Sequence, residues 1–386
     1  MAFFRNTTVN LLNLHYGVHA LALSGGGAFF AVFLLRAGVP APGVLSALAA
    51  ILIGRFCIRP FVLPLGKRFG LKPLVIAGTI LTALQYPLLA EVDGVGWALV
   101  ALCVVSSVGD TFYWTSYHAY FASLGDAEHR GHQIGAREAV AALVGIVAPL
   151  LTGWALVTLG PRTTFGVTAL VLMLSALPLL RTPNVAVLDD APGSLRAALP
   201  GTLMLAADGW VASGYHFVWQ IALFLSLGES FTAFGGAMAI AAVAGAITGL
   251  LLGRFIDAGH GRWIVWLAAG TAAATILARA AGYGDPALAV AANAAGALVV
   301  AIYTPTIMTA VYNQAQASPC TLRFHIATEA GWDVGGAAGC LVAAGLLALG
   351  APMSVAILIS LAGTAAALFL LRRYYRATDL AAAQIT

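Results

Sequence analysis

RTPNVAVLDDAPGSLRAALP, residues 181–200, is a polar stretch in a chain built mostly of long apolar runs. Six runs precede it, near 11–36, 42–65, 73–91, 95–122, 134–159 and 163–181. Six follow, near 199–226, 231–254, 262–282, 286–312, 324–349 and 353–372. A helix needs about 20 apolar residues to cross the hydrocarbon core, and each run is of that order. Their length and their Ala, Leu and Gly richness read as helices, not strands. The expectation is an all-α polytopic membrane protein of twelve transmembrane helices. They fall into two six-helix bundles, residues 1–181 and 199–386, joined by a cytoplasmic linker at 182–198.

Composition agrees. Of 386 residues, 61% are hydrophobic and 9% charged, with a mean hydropathy of +0.92. A soluble domain is about 25% charged, so this chain has too little polar surface to face water. The net charge of +4 then reads as a topology signal and implies no nucleic-acid partner. With the N-terminus inside, fourteen of the nineteen Lys and Arg residues fall on the inner side. Three fall outside (Arg36, Arg162, Arg279) and two within span 2 (Arg55, Arg59). That split predicts both termini cytoplasmic, in a bacterial-type inner (plasma) membrane. MAFFRNTTVN is short and weakly charged, and the run after it is too long for a signal-peptide core, so no cleavable signal is expected. The four cysteines (Cys57, Cys103, Cys320, Cys340) form no CxxC; all but Cys320 lie in apolar runs and read as small core residues.

The halves resemble each other. Residues 113–139 line up with 303–330 at an offset near 190, and LVIAGT (74–79) and VWLAAGT (265–271) share a Gly-Thr at an offset of 192. Such repeats place a substrate site between the halves near the bilayer midplane.

Twelve spans, two halves and a short basic loop between spans 2 and 3 resemble the major facilitator superfamily over the whole chain. LPLGKRFGLKP (63–73) is similar to the family's Gly-x-Leu-Ala-Asp-Arg-x-Gly-Arg-Lys motif. Leu65, Arg68, Gly70 and Lys72 agree, while Leu63 replaces the first Gly and Lys67 the Asp. The second-half counterpart, GLLLGRFIDAGHGR (249–262), keeps Asp257 near Arg254 and Arg262. The resemblance implies gating at the cytoplasmic side by Lys67, Arg68, Gly70, Arg254, Asp257 and Arg262. The family's span-4 arginine has no counterpart. In span 5, VGIVAPLLTG (144–153) partly matches the Gly-Pro motif of antiporters, with Ala148 before Pro149, and favours export. The resemblance also implies that spans 1, 4, 7 and 10 line a central cavity.

A charged side chain at mid-bilayer costs about 2.5 kcal/mol or more and is a functional candidate by default. On span 4, Asp110, Tyr113, Trp114, Tyr117 and Phe121 share one helical stripe, with His118 at its edge. Span 7 offers Asp208, Ala212, Tyr215 and Trp219, flanked by His216. Either carboxylate can tie helices together, or can load a proton and release it as the cavity changes its exposure. His15 and His19 on span 1, one turn apart with Tyr16 beside them, suit a cavity-lining pair, packing contacts or two ligands of a metal. No acid or HExxH completes a metal set, so no metal and no cofactor is expected. Arg59 can snorkel to the cytoplasm, whereas Arg55 is a turn deeper and needs an anion: Asp110, Asp333 or Glu329 of span 11, or a substrate. Tyr303, at the head of the repeat-matched stretch of span 10, joins the cavity candidates. Gly245, Gly249 and Gly253 give span 8 a smooth face. GDAEHRGHQ (125–133) reads as a solvated cytoplasmic turn.

These residues point to a monomeric secondary transporter, not an enzyme. It moves a small organic solute across the lipid bilayer by alternating access, driven by protons, with Asp110 the preferred carrier and Asp208 the second. His118 and His216 stand beside them. Export is favoured. The alternatives are an uptake symporter or uniporter for a small organic anion held by Arg55, and a non-transporting receptor of the same fold.

Overall fold

The computed structural model describes the backbone of residues 6–124, 130–256 and 261–383, and side chains outside 122, 125–142, 249–262 and 377–386. Every described regular element is helical. Ten helical columns are long and apolar enough to cross a bilayer. They are Thr7–Arg36, Ala41–Phe69, Leu71–Ala90, Trp97–Phe121, Pro161–Arg181, Phe231–Thr248, Trp263–Gly282, Pro286–Ala317, Thr321–Ala348 and Met353–Arg376. They match the expected spans apart from the fifth and seventh. The fifth run lies on the Arg130–Thr158 helix, whose side chains are described only from Leu143. The seventh is interrupted: α-helix Ser194–Ala212 passes through a π-helical turn, Ser213–Val218, into α-helix Trp219–Ser226. Of the expected 125–133 turn, 125–129 lie outside the described residues while 130–133 open the Arg130–Thr158 helix; Asp257 and the side chains of Arg254 and Arg262 also lie outside.

Helix ends follow local chemistry. Asn6 accepts from the Val9 amide at 3.1 Å, and Asp285 accepts from Leu288 at 2.9 Å with Pro286 opening the helix behind it. Gly70 ends the Ala41–Phe69 column at φ +81°, a left-handed conformation that disfavours other residues.

Large apolar side chains face outward around the molecule, among them Val104, Trp154, Leu170, Val300 and Phe369. Water would penalise that surface and lipid does not, so the protein is an integral, multi-pass membrane protein. Between helices in lipid, close packing replaces the hydrophobic effect, and small residues let backbones approach. Gly78 lies against the Tyr113 backbone and Gly109 against that of Thr82, seating Leu71–Ala90 on Trp97–Leu124. Gly209 meets the Trp332 carbonyl and Gly335 that of Ala206, seating Ser194–Ala212 on Thr321–Ala348. The two largest contacts that link residues before the polar segment to residues after it are those of Ala41–Ile58 with Thr321–Ala348 and of Arg130–Thr158 with Phe231–Ile256.

At the end opposite the 182–193 segment, aromatic rings pack together from distant parts of the chain. Phe29, Phe224 and Phe234 are fully buried. Phe29 meets Phe234 edge-on at 5.2 Å, and Phe231 stacks on Phe224 at 5.4 Å. Arg36 and Glu229 pair outside this plug at 3.4 Å.

Candidate functional site

The centre of the molecule is ionic. Arg55 and Arg59 reach it from the second column, Asp110 and Thr115 from Trp97–Leu124, and Glu329 and Asp333 from Thr321–Ala348. The Gly78 and Gly109 seam sets Trp97–Leu124, and the Gly209 and Gly335 seam sets Thr321–Ala348. Arg55 Nε stands 2.9 Å from Asp333 Oδ1, Nη2 3.7 Å from Glu329 and Nη1 3.8 Å from Asp110. Its plane lies 5.6 Å from the Trp332 ring.

Of the partners open to Arg55 in the sequence, Asp333 holds the close contact, with Glu329 and Asp110 farther out. Arg59 does not snorkel. It is 1% exposed, donates to Asp333 Oδ2 through Nε at 3.1 Å and again through Nη2, and gives Nη1 to Thr115 at 2.6 Å. A buried carboxylate one helix away outcompetes the interface, and the 3-10 turn Arg59–Phe61 at Pro60 turns the chain here.

Two guanidinium groups therefore face three carboxylates, with the His118 imidazole beside Glu329. The side-chain exposures decide which acid can be reached: Asp333 0%, Glu329 15%, Asp110 23%.

His118 is half-buried and bridges toward the later helices. Its ring stacks on Trp114 at 5.7 Å and on the buried His325 at 5.9 Å, one turn before Glu329. The aromatic stripe of span 4 divides. Trp114 and His118 keep some exposure, whereas Tyr113 and Tyr117 are fully buried against the first helix. There His15 donates Nδ1–H to the Ser175 carbonyl at 2.7 Å, which leaves Nε2 to accept the Tyr113 hydroxyl at 3.1 Å. His19 stacks flat on Tyr113 at 3.9 Å, and Tyr16 on Tyr117 at 5.7 Å. With both His15 nitrogens engaged by protein, the pair is not poised to chelate.

A second group lies on the seventh column. Asp208 accepts from Trp332 Nε1 at 3.1 Å, and buried Tyr303 sits beside the same carboxylate. No cation pairs with Asp208 among the described residues. Beyond the π-helical turn, Trp219 is 2% exposed and donates to Asn293 at 3.0 Å, while His216 is exposed and meets Gln220 at 3.3 Å. Tyr215 donates its hydroxyl to the Gly296 carbonyl at 3.1 Å. Arg279, expected as an outside loop charge, is instead buried against Tyr215 and Trp219, 4.0 and 5.1 Å from the ring centres. Its place near a span end gives the same sequence signal as a snorkelling residue.

The basic loop is tied to the polar segment. Lys67 donates to the Asp189 carbonyl, which also accepts from Arg323 at 2.8 Å. Asn184 accepts from the Lys72 amide at 3.2 Å and donates to the Phe69 carbonyl at 2.8 Å, bracketing Gly70. Arg68 lies over Phe69 at 5.2 Å. Lys67, standing where the related motif has an acid, thus meets a carbonyl of the 182–193 segment.

The sequence profile of the Major Facilitator Superfamily matches residues 14–214, just over half of the chain. Among solved structures, a POT family transporter in complex with 5-aminolevulinic acid superposes with a TM-score of 0.69 at 8% identity, covering 94% of this chain and 95% of that one. A mutant of the nucleoside transporter NupG gives 0.67 at 12% identity, over 96% and 100%. The transporter FucP in the outward conformation gives 0.68 at 15% identity, over 95% and 98%. A search of curated protein sequences finds no match.

Proposed function

Because the chain belongs to the major facilitator superfamily and is therefore a transporter, not an enzyme, we propose that it is a proton-coupled secondary exporter of a small organic solute. Twelve spans form two six-helix halves, 1–181 and 199–386, with the 182–198 linker and both termini on the cytoplasmic face of an inner membrane. The halves rock about the central site, exposing it to one side at a time. The observation that carries the coupling is the surplus carboxylate. Three acids around two guanidinium groups leave one carboxylate that only the titratable His118 beside Glu329 can offset, and an unpaired ion is costly in a low-dielectric setting. A proton removes that cost. Asp110, the most exposed of the three and the loosest partner of Arg55, is the carrier, and Asp208, with no paired cation among the described residues, is the second candidate. Trp114, His118 and His216 offer partly exposed faces to a solute. Export is favoured by the span-5 sequence VGIVAPLLTG.

The test is Asp110→Asn in proteoliposomes. The amide keeps shape and hydrogen bonding but cannot titrate. Exchange of labelled solute at equal concentrations should persist, and movement against a gradient under an imposed pH difference should vanish. Full pH-driven transport in the variant would pass the role to Asp208. An inward proton gradient that drives uptake would instead favour a symporter.

A further inference from the structure

Arg279 is a buried cation with no counter-ion among the described residues. It lies in the last turn of the Gly261–Gly282 helix and is 5% exposed. No carboxylate pairs with it among the described residues; Nη1 donates to the Tyr215 carbonyl, and the guanidinium also bonds the Tyr215 phenol oxygen. That carbonyl belongs to the π-helical turn Ser213–Val218, a distortion frequent at functional sites. Nε has no acceptor. Nε lies on the edge through which a guanidinium receives an oxyanion, and that position is unmet.

The surroundings keep that edge in place. Tyr215 and Trp219 lie against the guanidinium, and Trp219 is fixed by Asn293, which donates in turn to the Ala237 carbonyl at 3.0 Å. Gly296 leaves room for the guanidinium, since a Cβ there would run into Arg279 Nη2 and push it aside. A role confined to clamping the π turn uses Nη1 alone. It does not explain an unmet Nε, and a lysine would meet it.

We infer that Arg279 is an anion-binding residue of the second half, receiving a carboxylate or phosphate oxyanion of the transported solute beside Tyr215 and Trp219. Calling that anion a solute group rests on the transport reading. The binding itself does not, so loss of proton-driven transport would leave the site standing.

The experiment is equilibrium binding to the full-length protein in detergent, followed by thermal shift at fixed ionic strength. The probes are benzoate, inorganic phosphate and, as a neutral isostere, benzamide. Benzoate or phosphate should raise the melting temperature in a saturable way and benzamide should not. Arg279→Gln should weaken the response about tenfold or more. Gly296→Ala keeps the charge but pushes the flexible guanidinium aside, so it decides the matter should the glutamine variant fail to fold. A benzoate response assigns a carboxylate site, and phosphate alone a phosphate site. No response to either anion in wild type, or a response that survives in Gly296→Ala and any folded Arg279→Gln, overturns the assignment.

Discussion

Removing Asp333 should damage the protein more than removing any other acid. Asp333 is fully buried and serves two arginines at once, Arg55 Nε at 2.9 Å and Arg59 Nε at 3.1 Å. At about 3 Å and an effective dielectric near 20, each attraction is about 5–6 kcal/mol gross. Desolvation of the ions offsets much of that, and losing one member of a buried pair costs about 3–5 kcal/mol net. Asp333→Ala strands two guanidinium groups, yet Arg55 retains Glu329 at 3.7 Å and Asp110 at 3.8 Å, so the loss concentrates on Arg59. We expect about 3–5 kcal/mol from Asp333→Ala and about 0–1 kcal/mol from Glu229→Ala, whose partner Arg36 is largely solvated. Reversible unfolding of both variants in the same bicelles measures the contrast. Arg59→Met in the Asp333→Ala background should restore part of the loss, because it removes the stranded charge. Equal effects of the two acid variants, or no recovery in the double variant, would refute the reasoning.

Two further outcomes follow from local geometry. Gly335→Leu should abolish folded protein, since even a Cβ collides with the Ala206 carbonyl; a normal monodisperse yield on size exclusion would contradict the packing. Arg162 holds Glu91 with bonds of 2.8 and 3.0 Å, and those bonds lower the Glu91 pKa below its ordinary 4.5. The folded value being the lower one, the stabilisation is present above the unfolded pKa and is lost as pH falls through the folded one. Melting curves of Arg162→Gln and wild type should therefore differ slightly near neutral pH and converge in acid; a gap that widens in acid would reverse the sign.

The helical membrane architecture was legible because hydropathy over about 20 residues is a local property, set by composition and not by partners. The need of Arg55 for an anion was legible for a related reason, since depth within a span follows from helix rise alone. What escaped depended on neighbours. Arg59 and Arg279 both sit near span ends, where sequence offers a route to water, and the fold supplies Asp333 to one and two aromatic faces to the other. The π turn at Ser213–Val218 left no periodic trace in a run that is apolar on nearly every face. Tyr113 and Tyr117 share a stripe with Asp110, but one turn of helix decides whether a ring meets the first helix or the open centre.

The phenylalanine plug carries a thermodynamic consequence. Wetting Phe29, Phe224 and Phe234, at about 1.5–3 kcal/mol each, costs about 5–9 kcal/mol in all. Unaided, that leaves the form parted at this end populated at about one molecule in 10⁴ to 10⁷. The ties at the opposite end, Lys67 and Arg323 on Asp189 and Lys72 on Thr182, lie at or near the surface and return little of it. The empty protein therefore rests with its plug shut, and a conformer open at that end must draw its stability from new burial elsewhere or from a bound solute. A bias of this size also sets a floor on the binding energy that a cargo must contribute before the plug parts at a useful frequency.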